Sequence, residues 1–390
     1  SGFLTFSTVI ITIINNKKEG INMKLTIKKE ILLDAINKVS KAISTKNLIP
    51  VLAGIKFELN KKKLVLTASD NDITIQTTID CNNEDEVKVE EEGSIIIQGK
   101  YILDIVRKLP DKYINIEVID ELKILIYTEN SEFNLNGISE SEYPTITLEE
   151  SKKKIDVNAN VFKDLVNQTA FAASNEETKP VLTGLNFNII GDILECNSTD
   201  SYRLARKVIK LDKPSEDNYN IVIPSHNIVE FSRLIGDDED EVVEVHIFSN
   251  KVLFKYKTLL FQSRLINGTY PNTSNLLPNE ANLIITADLN EFYSVIDRAS
   301  ILTSDKEKNI VTLETDGNTL LLKSSSLEIG KVEEKMQVKK SVNDDIRVSF
   351  SARYMMDALK SFDSQTVEIH YVGEVKPIIV KTSEDDTLTQ

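Results

Sequence analysis

Imidazoles are the first side chains to test for chemistry, because they titrate near neutral pH and are the commonest metal ligands. The chain has three, His226, His246 and His370. None falls in the H-x-x-x-H or H-E-x-x-H spacing that would set two ligands on one helix face. No nucleophile elbow, phosphate-binding glycine loop or dinucleotide fingerprint occurs. Acidic runs at 84–92, 237–241 and 384–386 lack the regular oxygen spacing of a calcium loop. They read as solvated loops. Two cysteines, Cys81 and Cys196, make neither a disulfide framework nor a zinc site, and their strand-like surroundings mark them as buried thiols in a reducing, cytoplasmic setting. The expectation is a protein with no catalytic residue, no metal and no cofactor.

Cations carry more information. Apolar residues at helical spacing define helices whose outer faces bear Lys28, Lys38 and Lys41; Lys100, Arg107 and Lys108; Lys163; Arg233; Arg298; and Arg353 with Lys360. The formal net charge is nevertheless −15. A wholly basic, nucleic-acid-gripping surface is therefore excluded. What remains is one mildly positive face, diluted by acidic neighbours, on an acidic molecule. The alternative for any single helix is an ordinary solvated face.

The elements that hold these residues come in repeated sets. Residues 46–78, 178–206 and, more weakly, 308–330 say much the same thing, and Tyr143-Pro144 recurs as Tyr270-Pro271. The period is about 130 residues, the size of a whole domain. Each copy opens with a strand and helix: 24–27 with 29–43, 154–157 with 160–173, and 283–286 with 289–302. The inward faces read Leu32, Ile36, Val39 and Ile43; Val161, Leu165, Val166 and Thr169; and Phe292, Val295, Ile296 and Ala299. Alternating strands follow. A second strand–helix pair closes each copy at 94–108, 219–234 and 346–362, with Ser225 and Ser351 as expected N-caps. The fold class is α+β, three similar domains of two helices on antiparallel sheets. Expected bounds are 23–150, 151–279 and 280–390, with 1–22 a non-native or disordered extension ahead of Met23. Its apolar run is too short to span a bilayer.

Three stretches carry a family resemblance. Met23-Lys24-Leu25-Thr26-Ile27 is one. Lys179-Pro180-Val181-Leu182-Thr183-Gly184 with Thr199-Asp200-Ser201-Tyr202-Arg203-Leu204-Ala205 is the second. Gly268-Thr269-Tyr270-Pro271 with Leu276-Leu277-Pro278 is the third. Together, in this order, they resemble the bacterial DNA polymerase III beta subunit, the sliding clamp, from Met23 to about Lys381. The resemblance implies a head-to-tail homodimeric ring of six domains, helices inside and strands outside. Such a ring encircles double-stranded DNA without reading its sequence and tethers the polymerase. Weak phosphate contact suits a protein that must slide, since each strong contact adds steeply to salt-dependent affinity.

The family's sites carry over residue by residue. A partner-peptide pocket between the second and third domains implies Leu182, Thr199, Tyr202, Arg203, Leu204, Pro271, Leu276, Tyr354, Val375 and Pro377. Its expected occupants are short motifs of the polymerase III alpha subunit, the clamp loader and other proteins bearing a clamp-binding motif. Asn275 replaces a usual pocket arginine. The DNA-facing set becomes Lys46, Lys100, Arg107, Lys108, Lys163, Arg233, Arg298 and Arg353. Phe133 and Leu135 would face Ile301 and Leu302 across the ring interface. The family's last apolar segment has no counterpart after Thr387-Leu388-Thr389-Gln390: either the tail is missing, which would leave the pocket short of one wall, or the terminus diverges from the family. The alternative is a peptide-binding scaffold of the same triplicated fold that never meets DNA.

Overall fold

The structure, a computed structural model, describes residues 22–44, 49–278, 280–303 and 309–390. The expected extension up to residue 21, and Lys46, lie outside the described residues. Two compact units divide the chain near residue 146, the turn 71–74 grouping with the second.

The first unit runs β1 (Lys24–Lys28), α1 (Lys29–Val39), β2 (Gly54–Leu59), β3 (Lys63–Ser69), β4 (Ile73–Asp80), β5 (Val87–Glu91), β6 (Gly93–Gln98), α2 (Gly99–Lys108), β7 (Tyr113–Ile119), β8 (Lys123–Tyr127) and β9 (Glu132–Asn136). Its strands order as β5-β1-β7-β8-β9 and as β4-β3-β2-β6. Alternation decides the faces: Leu25 and Ile27 of β1 turn inward against Leu32, Ile36 and Val39 of α1. The edge strand β9 places Phe133 opposite Ile126 and Leu135 opposite Ile124.

The second unit contains the other two copies. The first of these is β10 (Ile155–Asn158), α3 (Ala159–Asn167), β11 (Gly184–Ile190), β12 (Ile193–Thr199), β13 (Leu204–Lys210), β14 (Tyr219–Pro224), α4 (Ser225–Arg233), β15 (Val242–Ile247), β16 (Lys251–Tyr256) and β17 (Leu259–Arg264). The next is β18 (Leu283–Asp288), α5 (Leu289–Ser300), β19 (Ile310–Asp316), β20 (Thr319–Ser326), β21 (Gly330–Gln337), β22 (Lys339–Lys340), β23 (Arg347–Ser351), α6 (Ala352–Leu359), β24 (Thr366–Tyr371), β25 (Ile379–Lys381) and β26 (Leu388–Thr389). The sheets order as β10-β15-β16-β17, β14-β11-β12-β13-β26, β22-β18-β24-β25 and β21-β20-β19-β23. Helices pack in pairs, α1 on α2, α3 on α4 and α5 on α6. Six helices and antiparallel sheets among the described residues match the expected class.

Two local expectations need correcting. Val161 points outward, 39% exposed, and Phe162 takes the inward position. Asn158 caps α3 through the amides of Asn160 and Val161, so the buried series becomes Phe162, Leu165, Val166 and then Thr169. Val161, one residue earlier, lies about 100° round the axis. Ser225 is the first helical residue rather than a cap, and no side chain caps α4, whose cap position is Pro224. Ser351 does cap α6, its Oγ accepting from the Tyr354 amide.

The middle copy is held by an aromatic core. Phe231 stacks on Phe254 at 4.7 Å and meets Phe162 edge-on at 5.5 Å, all fully or almost fully buried. Phe231→Ala is expected to cost about 3–5 kcal/mol, the transfer free energy plus the cavity left behind. Denaturant unfolding of the variant against the parent protein checks this.

At the end of the chain, Leu388 is fully buried and β26 pairs with β13 through Lys207 and Arg206. Gln390 exchanges both main-chain hydrogen bonds with Val380 at 3.0 Å. The Lys207 ammonium meets Asp385 at 2.7 Å. The β26–β13 pairing and the Lys207–Asp385 pair join the second copy to the third.

Candidate functional site

A cavity of about 660 Å³ opens between the second and third copies. The second copy contributes Leu182, Thr199, Tyr202, Arg203, Leu204, Pro271 and Leu276, and the third contributes Tyr354 and Pro377. Nine of the ten expected pocket residues therefore share one space. Val375 does not line it. That residue sits on the turn between β24 and β25, 94% exposed, where Lys376 N–H donates to the Gly373 carbonyl.

The walls are built from local rules. Thr199 ends β12, and Ser201 takes the left-handed region at φ 79°, uncommon for a side-chain-bearing residue. Two side chains hold that turn. Asp200 Oδ1 accepts from the amides of Tyr202 and Arg203 at 2.9 and 3.0 Å. Thr199 Oγ1 accepts from the Ser201 amide at 3.1 Å. The turn leaves Tyr202 73% exposed in the cavity lining, and Leu276, which also lines it, is 54% exposed. Beneath them, Leu182, Val222 and Tyr270 form a small apolar cluster. Burial pushes the Tyr270 phenol well above its usual value, so this hydroxyl is a neutral structural group.

Arg203 is held by two carboxylates and two aromatic rings. Its Nε donates to Asp200 Oδ2 at 3.1 Å and its Nη1 to Asp357 Oδ2 at 2.8 Å. The guanidinium lies 4.4 Å from the Tyr354 ring and 5.5 Å from that of Phe171. Phe171, Val348, Phe350, Ile378 and Ile379 also line the space, and sequence reasoning missed them. The apolar–polar alternation of Val348, Ser349 and Phe350 on β23 was a signal for two of them; Phe171, Ile378 and Ile379 carried none. An apolar cleft with a few fixed polar groups suits a short extended peptide.

The expected DNA-facing cations divide into two groups. Lys163 pairs with Asp237, Arg233 with Glu230 and Arg298 with Glu334, while Arg107 is 3.9 Å from Asp104. Lys100, Lys108 and Arg353 are exposed, with no ion pair to another described residue.

The expected interface residues lie on separate elements. Phe133 is 36% exposed and Leu135 half-buried on β9. Ile301 is 72% exposed just past α5, with Leu302 half-buried beside it. Ser324 Oγ donates to the Ala299 carbonyl at 2.6 Å. The α5 C-terminus and the β20–β21 hairpin therefore share one end of the third copy. That hairpin exposes Leu327 and Ile329, two further apolar residues that sequence reasoning passed over. Both β9 and β21 are sheet edges among the described residues.

One group of donor atoms could suggest a metal, Glu150, Glu244 and His246, all within 4.8 Å. Its charges are already matched. Lys255 Nζ donates to both Glu150 oxygens at 3.0 and 3.1 Å, and Lys154 Nζ to Glu244 at 2.7 Å. His246 Nδ1 accepts from the Ser151 amide at 2.9 Å. A divalent ion there would sit beside two ammonium groups, so the cluster is an ion-pair network holding the segment before β10.

Comparison with known proteins gives a consistent picture. The family described as DNA polymerase III beta subunit matches in three parts. Its N-terminal domain matches residues 23–147, its central domain 156–272 and its C-terminal domain 274–390. A beta sliding clamp of Staphylococcus aureus is 37% identical over 370 residues, covering 94% of this chain and 98% of that one. The beta sliding clamp of Bacillus subtilis is 38% identical over 371 residues, with the same coverage. Among solved structures, the DNA polymerase sliding clamp from Bacillus subtilis superposes with a TM-score of 0.89 at 37% identity, covering 94% of this chain and 97% of that one. The DNA polymerase III beta chain from Streptococcus pneumoniae also reaches 0.89, at 31% identity, covering 94% and 98%.

Proposed function

The chain belongs to the DNA polymerase III beta subunit family, the sliding clamps, and on that premise we propose how its surfaces divide the work. It is a clamp and processivity factor of DNA replication and is not itself catalytic. Two copies join head to tail into a ring around double-stranded DNA, each supplying domains 23–150, 151–279 and 280–390. The end carrying Ile301, Leu302, Leu327 and Ile329 meets the partner's β9 edge at Phe133 and Leu135. Lys100, Lys108 and Arg353, with the paired Arg107, Lys163, Arg233 and Arg298, face the duplex; Lys46 joins them by family position alone. The cavity between the second and third copies, lined by Leu182, Thr199, Tyr202, Arg203, Leu204, Pro271, Leu276, Tyr354 and Pro377, takes short motifs of the polymerase III alpha subunit, the clamp loader and similar partners. The site of action is the cytoplasm; no described helix is long and apolar enough to cross a membrane.

The observation that carries the reading is the threefold copy itself. Each copy matches a different domain of the family, in order. The physics of the charges agrees. The net charge is −15, and four of those seven described cations, Arg107, Lys163, Arg233 and Arg298, already face carboxylates, so few counterions are released and binding strength alone holds the protein on DNA only weakly. Confinement supplies the rest. Loaded by a clamp loader on nicked circular DNA, the protein is expected to co-elute with the plasmid through gel filtration in moderate salt and to be lost when the circle is cut once. Equal loss from both forms would favour the peptide-binding scaffold.

A further inference from the structure

We propose that Asp357 is a positioning residue for the cavity, acting with Arg203 as a strut that fixes the spacing of its two walls. The proposal rests on the reading of that cavity as the partner-peptide pocket.

Arg203 belongs to the turn between β12 and β13 of the second copy, and Asp357 to α6 of the third, 154 positions away. Their 2.8 Å contact is a charge-assisted hydrogen bond across the cleft. The side chains of Arg203, Asp200 and Asp357 are only 16%, 13% and 30% exposed. A cation so placed needs at least one carboxylate, and Asp200 on its own turn supplies that, so the loss of Asp357 does not strand the charge. Asp200 alone ties the guanidinium to its own turn. Asp357 ties it to the opposite wall. Tyr354 lies one helical turn before Asp357 on α6, with the guanidinium 4.4 Å from its ring. The second copy's Phe171 is the other aromatic contact of that cation, at 5.5 Å. One planar cation thus sets the distance between the Tyr202 lip and the Tyr354 wall.

Two consequences follow for the ligand. Arg203 has no charge to spare for a ligand carboxylate, since two aspartates already hold it. The cleft instead offers a preformed gap, and preorganisation reduces the ordering cost of binding. Losing the strut should therefore weaken binding without unfolding the protein.

The test uses the full chain and a fluorescein-labelled hexapeptide spanning the clamp-binding motif of a polymerase III alpha subunit, titrated by fluorescence anisotropy. Asp357→Asn is expected to weaken binding about tenfold, with melting temperature and oligomeric state unchanged. Arg203→Lys keeps the charge but loses the planar fork, and should do the same. The double variant should be little worse than either single one, the mark of two residues working as a unit. Asp357→Glu should recover most of the affinity. Leu276→Asp serves as the wall control. Loss of binding in Leu276→Asp together with parental binding in Asp357→Asn overturns the strut and leaves the pocket reading intact. Loss of binding in Asp357→Asn accompanied by a fall in melting temperature overturns it as a folding effect. Additive losses in the double variant also overturn it. Parental binding in Leu276→Asp, or no binding to the parent protein, removes the pocket reading and the strut with it.

Discussion

Replacing Ile301 and Leu302 by alanine together is expected to convert dimers into monomers at micromolar concentration. Ile301 is 72% exposed in the single chain and Leu302 half-buried, so the change should cost the protomer little. In the proposed dimer both become contact surface. Each truncation removes three carbons, and a buried methylene is worth about 0.8 kcal/mol. Allowing for incomplete burial, each interface loses about 2–4 kcal/mol. A head-to-tail pair has two identical interfaces, so dissociation to monomers is favoured by about 4–8 kcal/mol, roughly 10³–10⁶-fold in Kd. Sedimentation velocity reads this directly, with thermal unfolding as the control for the fold. A dimer that persists undiminished removes these residues from the interface.

Leu276→Asp is expected to abolish partner-peptide binding while leaving the dimer whole. Leu276 closes the short helical turn Ser274–Leu276 and is 54% exposed at the cavity mouth. An aspartate there is well hydrated in the free protein, so stability should hardly change. A bound apolar peptide would strip that water, and an uncompensated carboxylate resists desolvation strongly. The expected loss is at least about 100-fold, near 3 kcal/mol. Titration of the labelled hexapeptide measures it. Binding within threefold of the parent protein would place the peptide elsewhere.

The helices and the repeat were legible because they rest on local physics. Leu32, Ile36 and Val39, or Phe292, Val295, Ile296 and Ala299, need only the helical period to be recognised as inward faces. Val161 failed because period alone does not fix phase, and the cap at Asn158 set it one residue later. Most of the cavity was legible through the family resemblance, not through residue type. Nothing in the sequence links Arg203 to Asp357, since their meeting depends on how two copies pack. The cations were legible as charges but not as pairs. Lys163 and Asp237 are neighbours only after α3 and the loop beyond α4 have folded together. Val375 shows what family position alone leaves open: its turn carries it into solvent, outside the lining of the cavity.

The two open edges, β9 in the first unit and β21 in the second, present different surfaces. A contact that pairs them is heterologous, and nothing in the contact itself limits how many chains join. Only the angle between successive protomers decides whether the series ends at two or continues as a helical filament. Stoichiometry here is therefore a geometric property of the protomer, sensitive to small rotations far from the contact. Substitutions that leave every interface residue in place could still produce open polymers, visible as concentration-dependent growth in light scattering.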